Sequence, residues 1–187
     1  MKTLPIYAAA IALLSGVGAA NAADVYQGST KDGASVTYGG NPFAGFNGSV
    51  GLGVASLGSG GNDETDFRGD VRAGYNFVSK DGFLVGVYAE GSLLDVKQAT
   101  ASPFWGYGAG VKLGKVLGPQ FLAYIDGGWD ALEVPGLHID GYKVGGGVEY
   151  LITPRWSIGP EIDYVNYGAV NVDGVHAMVR TTLYLGN

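Results

Sequence analysis

From Phe46 onward the side chains alternate with a period of two, apolar against polar or small. That period belongs to β-strands with one apolar face, because successive side chains of a strand point to opposite sides. The clearest stretch is 67–77, where Phe67, Val71, Ala73, Tyr75 and Phe77 share one face and Arg68, Asp70, Arg72, Gly74 and Asn76 share the other. Eight segments follow this rule, at 46–55, 67–77, 83–92, 105–113, 121–129, 142–150, 156–164 and 175–185. Each runs for about ten residues, the length at which a tilted strand crosses a bilayer. No charged residue falls on the apolar face of any of them.

Alternation alone does not say which face is inside, since a water-soluble barrel of the lipocalin kind would turn the apolar face inward. The polar face is dominated by glycine, which suits a cramped interior and is wasted on a solvated surface. The aromatics of the apolar face gather at strand ends, as two interfacial girdles require. Phe46, Tyr75, Phe77, Phe83, Phe121, Tyr150 and Trp156 form one ring; Phe67, Trp105, Tyr107, Trp129, Tyr142 and Tyr164 form the other. The pattern therefore predicts an all-β fold, an eight-stranded antiparallel up-and-down transmembrane β-barrel. Such closure leaves no unpaired strand edge in lipid. Connections support it: short links at 78–82, 115–119 and 151–154 alternate with longer ones at 56–65, 93–103, 130–139 and 168–174. Short turns on the periplasmic rim and long loops outside are the outer-membrane pattern.

Residues 1–22 change the picture by supplying an address. Lys2 is a positive n-region, Ile6 to Val17 an apolar stretch too short to span a membrane as a helix, and Ala20-Asn21-Ala22 a small-x-small cleavage site. Cleavage between Ala22 and Ala23 would release a chain bound for the outer membrane through the periplasm. Domains are then a signal peptide at 1–22, a flexible periplasmic leader at 23–45 and the barrel at 46–187. The leader is polar and rich in Gly and Ser. A net charge of −6, one unit more negative without Lys2, argues against nucleic acid as a partner. With no cysteine there is neither a disulfide nor a thiolate metal site. Gly makes up 34 of 187 residues with no triplet period, against an ordinary share of about 7%, so close packing and turns must need it.

Several stretches carry a resemblance. Arg72 to Phe77 (RAGYNF) leads through a turn into Gly82 to Val87 (GFLVGV); Trp105 to Gly108 (WGYG) is followed by Ala123 to Trp129 (AYIDGGW); Val144 to Tyr150 (VGGGVEY) precedes Leu151 to Ile158 (LITPRWSI) and Glu161 to Tyr164 (EIDY). In these the chain resembles the small porin-like barrels of Gram-negative bacteria, of the OmpA type and often called outer-membrane immunogenic proteins. The resemblance implies the barrel fold, outer-membrane lipid as surroundings and the barrel-assembly machinery as a partner. It also implies a tether: in some such barrels a mature N-terminus of a small residue followed by an acidic one is joined to peptidoglycan, and Ala23-Asp24 matches that form. The chain departs from the family at its end, Leu183-Tyr184-Leu185-Gly186-Asn187, where an aromatic insertion signal is expected.

The inward face carries the chemistry. Arg68, Arg72, Lys112, Lys143 and Arg180 share it with Asp70, Glu90, Asp126, Glu149, Glu161 and Asp163. Unpaired charges in so narrow a space would cost several kcal/mol each, so mutual pairing is expected. An ion path or gate is one reading. A polar filling that substitutes for an apolar core is the preferred one, because eight strands enclose only enough room for side chains. An enzyme would need a nucleophile held by an oriented base. His176 points inward with Asp163 across the neighbouring strand, but no serine shares that rim, so a satisfied interior histidine is expected. His138 is read as lying alone in a loop, and two separated histidines make no metal site. Leu132, Val134 and Leu137 either fold over the barrel mouth or form a contact surface. The resulting expectation is a non-enzymatic structural barrel without cofactors that supports envelope integrity, with a narrow porin as the alternative and a surface adhesin or lipid hydrolase behind it.

Overall fold

The computed structural model describes residues 41–59, 62–95, 104–134 and 136–185. The cleavage site at Ala22 and Ala23, Asp24, most of the leader, and the chain end at Gly186-Asn187 lie outside the described residues. Eight antiparallel strands, β1 (Gly45–Ser59), β2 (Asn62–Val78), β3 (Phe83–Asp95), β4 (Phe104–Leu117), β5 (Phe121–Val134), β6 (Leu137–Thr153), β7 (Trp156–Tyr167) and β8 (Val172–Tyr184), close into one barrel in chain order. β1 closes against β8 with Val50 opposite Thr181. A 3-10 turn, Gly168–Val170, links β7 to β8.

The question of faces has a direct answer. Outward residues such as Phe46 (65% exposed), Val71 (58%) and Ile125 (63%) are apolar, whereas the inward Arg68, Asp163 and His176 are all at 0%. A barrel that is apolar outside and charged inside has lipid as its solvent. Two expected loops are largely strand. The β1–β2 hairpin stays in register to Ser59↔Asn62, and β5–β6 to Val134↔Leu137. In these extensions the outward face is no longer uniformly apolar, while the backbone ladder continues. The short turns after β2 and β4 use left-handed glycines, Gly82 (φ 80°) and Gly118 (φ 77°).

The packed unit begins at Asn41, a few residues before the expected boundary at 46. Asn41 to Ala44 form a turn in which Asn41 Oδ1 accepts from the Phe43 amide (3.0 Å) and Asn76 Nδ2 donates to the Phe43 carbonyl (3.0 Å). Phe43 is fully buried with Leu84, Leu122, Tyr124, Leu151 and Tyr184, its ring edge-on to Tyr184 at 5.5 Å. This apolar layer closes the barrel at the end where the chain enters and leaves. At the other end Leu132, Val165 and Tyr167 pack with Leu57, Ile139, Val170 and Val172. Charged side chains fill the space between the two layers.

Candidate functional site: the charged interior

Every inward charge singled out by the alternation is buried. Asp66 and Asp130 join them, bringing the buried carboxylates to eight against five Lys and Arg among the described residues. Asp130 lay outside the expected core because the alternation had faded by the end of its segment. Its strand, β5, runs on to Val134 and keeps the same face inward.

Arg72, on β2, is the hub. Its guanidinium contacts Glu90 through Nε, Glu161 at 2.8 and 3.0 Å, Asp126 at 3.4 Å and Asp163 at 3.6 Å. Glu90 also takes Arg68 (2.9 Å) and Lys143 (2.5 Å). Arg180 grips Asp70 at 2.7 and 3.1 Å and Glu161 at 2.8 and 3.0 Å, and its Nη1 donates to Ser49 Oγ at 3.2 Å. These forked, two-point contacts are the geometry in which guanidinium and carboxylate bind most strongly. The network joins β2, β3, β5, β6, β7 and β8 across the lumen, a span no local sequence contact could cover.

Tyrosines complete the shell. Tyr88 donates to Asp126 (3.0 Å), with the Arg72 guanidinium 4.5 Å from its ring centroid. Tyr124 donates to Glu161 (2.6 Å), with the Lys112 ammonium 4.0 Å from its ring centroid. Both rings lie over glycines. A Cβ on Gly110 would sit 2.6 Å from Tyr88 Cζ, and one on Gly147 would sit 3.0 Å from Tyr124 Cζ. Some of the inward glycine is thus the space into which these tyrosines lie down.

Nearer the chain termini Lys112 pairs with Glu149 at 3.1 Å, and Glu149 also accepts from Tyr184 (2.6 Å) and from Ser157. Toward the other end Arg68 faces Asp130 at 3.8 Å, and Tyr167 donates to Asp130. None of Ser157, Tyr167, Tyr184 or Asp130 was singled out from the sequence as a site residue. The inward parity of their strands was the available signal.

The two histidines differ from expectation. His176 does lie opposite Asp163 in the β7–β8 register and is fully buried. It is not satisfied, however: neither ring nitrogen, and neither Asp163 oxygen, has a hydrogen-bond partner among the described residues. Ser49 is held by Arg180, not by His176. His138 is neither alone nor in a loop. It begins β6 above the outer aromatic ring, with Nδ1 2.6 Å from Glu133 and Nε2 3.2 Å from Asp140. The hydrogen bond to Glu133, followed by the one to Asp140, raises its pKa above the ordinary histidine value. Of the three residues expected over the mouth, Leu132 is in the outer apolar layer, while Leu137 is 50% exposed.

One carboxylate group has the spacing of a metal site: oxygens of Asp126, Glu161 and Asp163 lie within 4.8 Å of one another. Arg72 already stands among the three, so the chain supplies its own cation there.

No family model matches the chain, and no curated protein sequence does. Solved structures do. Neisserial surface protein A is 16% identical with a TM-score of 0.59, covering 76% of this chain and 98% of its own. Ail, the attachment invasion locus protein of Yersinia pestis, is 13% identical with a TM-score of 0.52, covering 75% of this chain and 98% of its own. At these identities the likeness is one of fold, the small outer-membrane β-barrel.

Proposed function

We propose that the protein is a sealed structural barrel of the outer membrane that supports the envelope, with its N-terminal leader serving as a tether to peptidoglycan. One observation carries this reading: both mouths are closed by packed apolar side chains, and the inner one is closed by Phe43, which the leader itself brings into the barrel. A solute would have to displace Phe43, then a cross-linked charge network, then the layer around Leu132 and Tyr167. A pull on the leader would be borne where Phe43 is seated and where Asn76 holds its carbonyl. The attachment point would be the α-amine of Ala23, ahead of Asp24.

Two experiments test the two parts. Planar-bilayer recording of the refolded protein is expected to show no steady current, and long-lived open channels would establish the narrow porin instead. Sacculi boiled in detergent and digested with trypsin and muramidase are expected to yield a muropeptide joined to the peptide Ala23 to Lys31. Recovery of only free Ala23 amine would leave the barrel untethered.

A further inference from the structure

The wall of the barrel is not evenly covered on its lipid side. Gly48, Ala73, Ala89 and Ala109 stand opposite one another in register across β1, β2, β3 and β4. Larger side chains flank this row, and between β1 and β3 they border a shallow, open groove of about 500 Å³. Its sides are Phe46, Tyr75, Val87 and Leu185, and its floor is Ala73, Gly74 and Ala89. Phe46 and Tyr75 meet edge to face at 4.8 Å, which makes that side firm.

Charge says what comes with the chain. Outside the interior, the described Lys and Arg residues are Lys80, Lys115 and Arg155, all on the periplasmic rim. The exposed Glu133, Asp140 and Asp173 are on the opposite rim. Lys115 reaches the β2–β3 turn that carries Lys80, on the order of 10–15 Å down the tilted strand from the groove. Lys115 is held in place, its ammonium 3.8 Å from the Phe83 ring centroid and donating to the Asp81 carbonyl at 2.6 Å. Two of its three donors remain for a ligand, beside the exposed Lys80. Asp81 is the one opposing charge on that turn.

We propose that this face binds one phospholipid of the periplasmic leaflet, with an acyl chain in the groove over Gly74 and an anionic headgroup at Lys80 and Lys115. A second copy of the barrel fits less well. A two-fold contact through the groove would bring Lys80 and Lys115 against their own copies, and like charges at an interface repel.

Native mass spectrometry of the refolded protein with equimolar phosphatidylglycerol and phosphatidylcholine tests the site. The wild type retains one phosphatidylglycerol, in preference on the order of tenfold, since each lysine near an anionic group favours it severalfold. K80Q/K115Q keeps a bound lipid and loses the preference, whereas R155Q, on a different turn, leaves it intact. A73L/A89L fills the groove and loses the bound lipid of either kind. Heat-modifiable migration on gels verifies that each variant has folded. Equal retention of the two lipids by wild type, a preference that survives K80Q/K115Q, or one that falls equally with R155Q would overturn the site. So would a dimer abolished by A73L/A89L, which would assign the groove to a second copy.

Discussion

The two halves of the interior are built from the same residue types and finished differently. On the terminal side Glu149 is satisfied three times over, by Lys112, Ser157 and Tyr184, and the apolar layer around Phe43 lies directly beyond. In the middle and outer part, polar atoms of Arg68, Ser92, Asp126, Asp130, Asp163 and His176 have no hydrogen-bond partner among the described residues. Buried polar groups are normally paired with protein or with ordered water. The terminal half leaves one buried hydroxyl, Thr182 Oγ1, without a partner among the described residues, whereas the outer half leaves polar groups on six residues that water would complete. One difference is the source of the added side chain: the terminal half receives Phe43, fully buried, from ahead of the strands, whereas the outer half receives only the partly buried Val170 of the 3-10 turn. A surplus of carboxylates over Lys and Arg, concentrated around Asp126, Asp163 and Asp130, adds to the demand there.

The contrast can be broken most forcefully at the hub. Arg72→Met removes the cation shared by Glu90, Glu161, Asp126 and Asp163, which leaves Asp126 with only the Tyr88 hydroxyl, and is expected to cost about 3–5 kcal/mol in reversible urea unfolding in lipid. Lys112→Met should cost no more than about 2 kcal/mol, because Glu149 keeps two hydroxyl donors. Equal losses would show that the halves are not distinct. Phe43→Ala removes the terminal half's added residue, an expected loss of about 3 kcal/mol. Limited proteolysis should then cut near Asn41 to Ala44, where wild type resists; resistance in both would mean that Phe43 does not hold the segment. Wetness itself is readable by NMR. Water cross-peaks are expected at the His176 ring and not at the Tyr184 or Phe43 rings, and the reverse pattern would invert the assignment.

The smallest expected effect lies outside the bilayer, at His138. Its folded pKa is raised, so the folded state holds a proton that the unfolded chain gives up near pH 6.5. The contribution of its contacts with Glu133 and Asp140 is complete below about pH 6.5 and fades as pH rises through the folded value. NMR titration should place His138 above about 6.5 in wild type and closer to it in Glu133→Gln. An identical titration in the two proteins would remove Glu133 as the cause.

Strand identity, the direction each side chain faces and the membership of the charged interior were all legible in the alternation of residues such as Phe67, Arg68, Val71 and Arg72. A period of two with one face always free of charge has few physical solutions, and glycine on the other face left only a lipid-exposed barrel. What alternation could not carry is anything measured across the lumen. That Arg72 bonds Glu161, 89 positions away, that Tyr88 lies over Gly110, and that His176 faces Asp163 without a hydrogen bond depend on strand stagger and closure. The β1–β2 and β5–β6 extensions were hidden because a backbone ladder outside the membrane needs no side-chain pattern. Phe43 was hidden for a further reason: it precedes the first strand among small and turn-forming residues, and only the closed barrel provides the apolar seat that makes it part of the core.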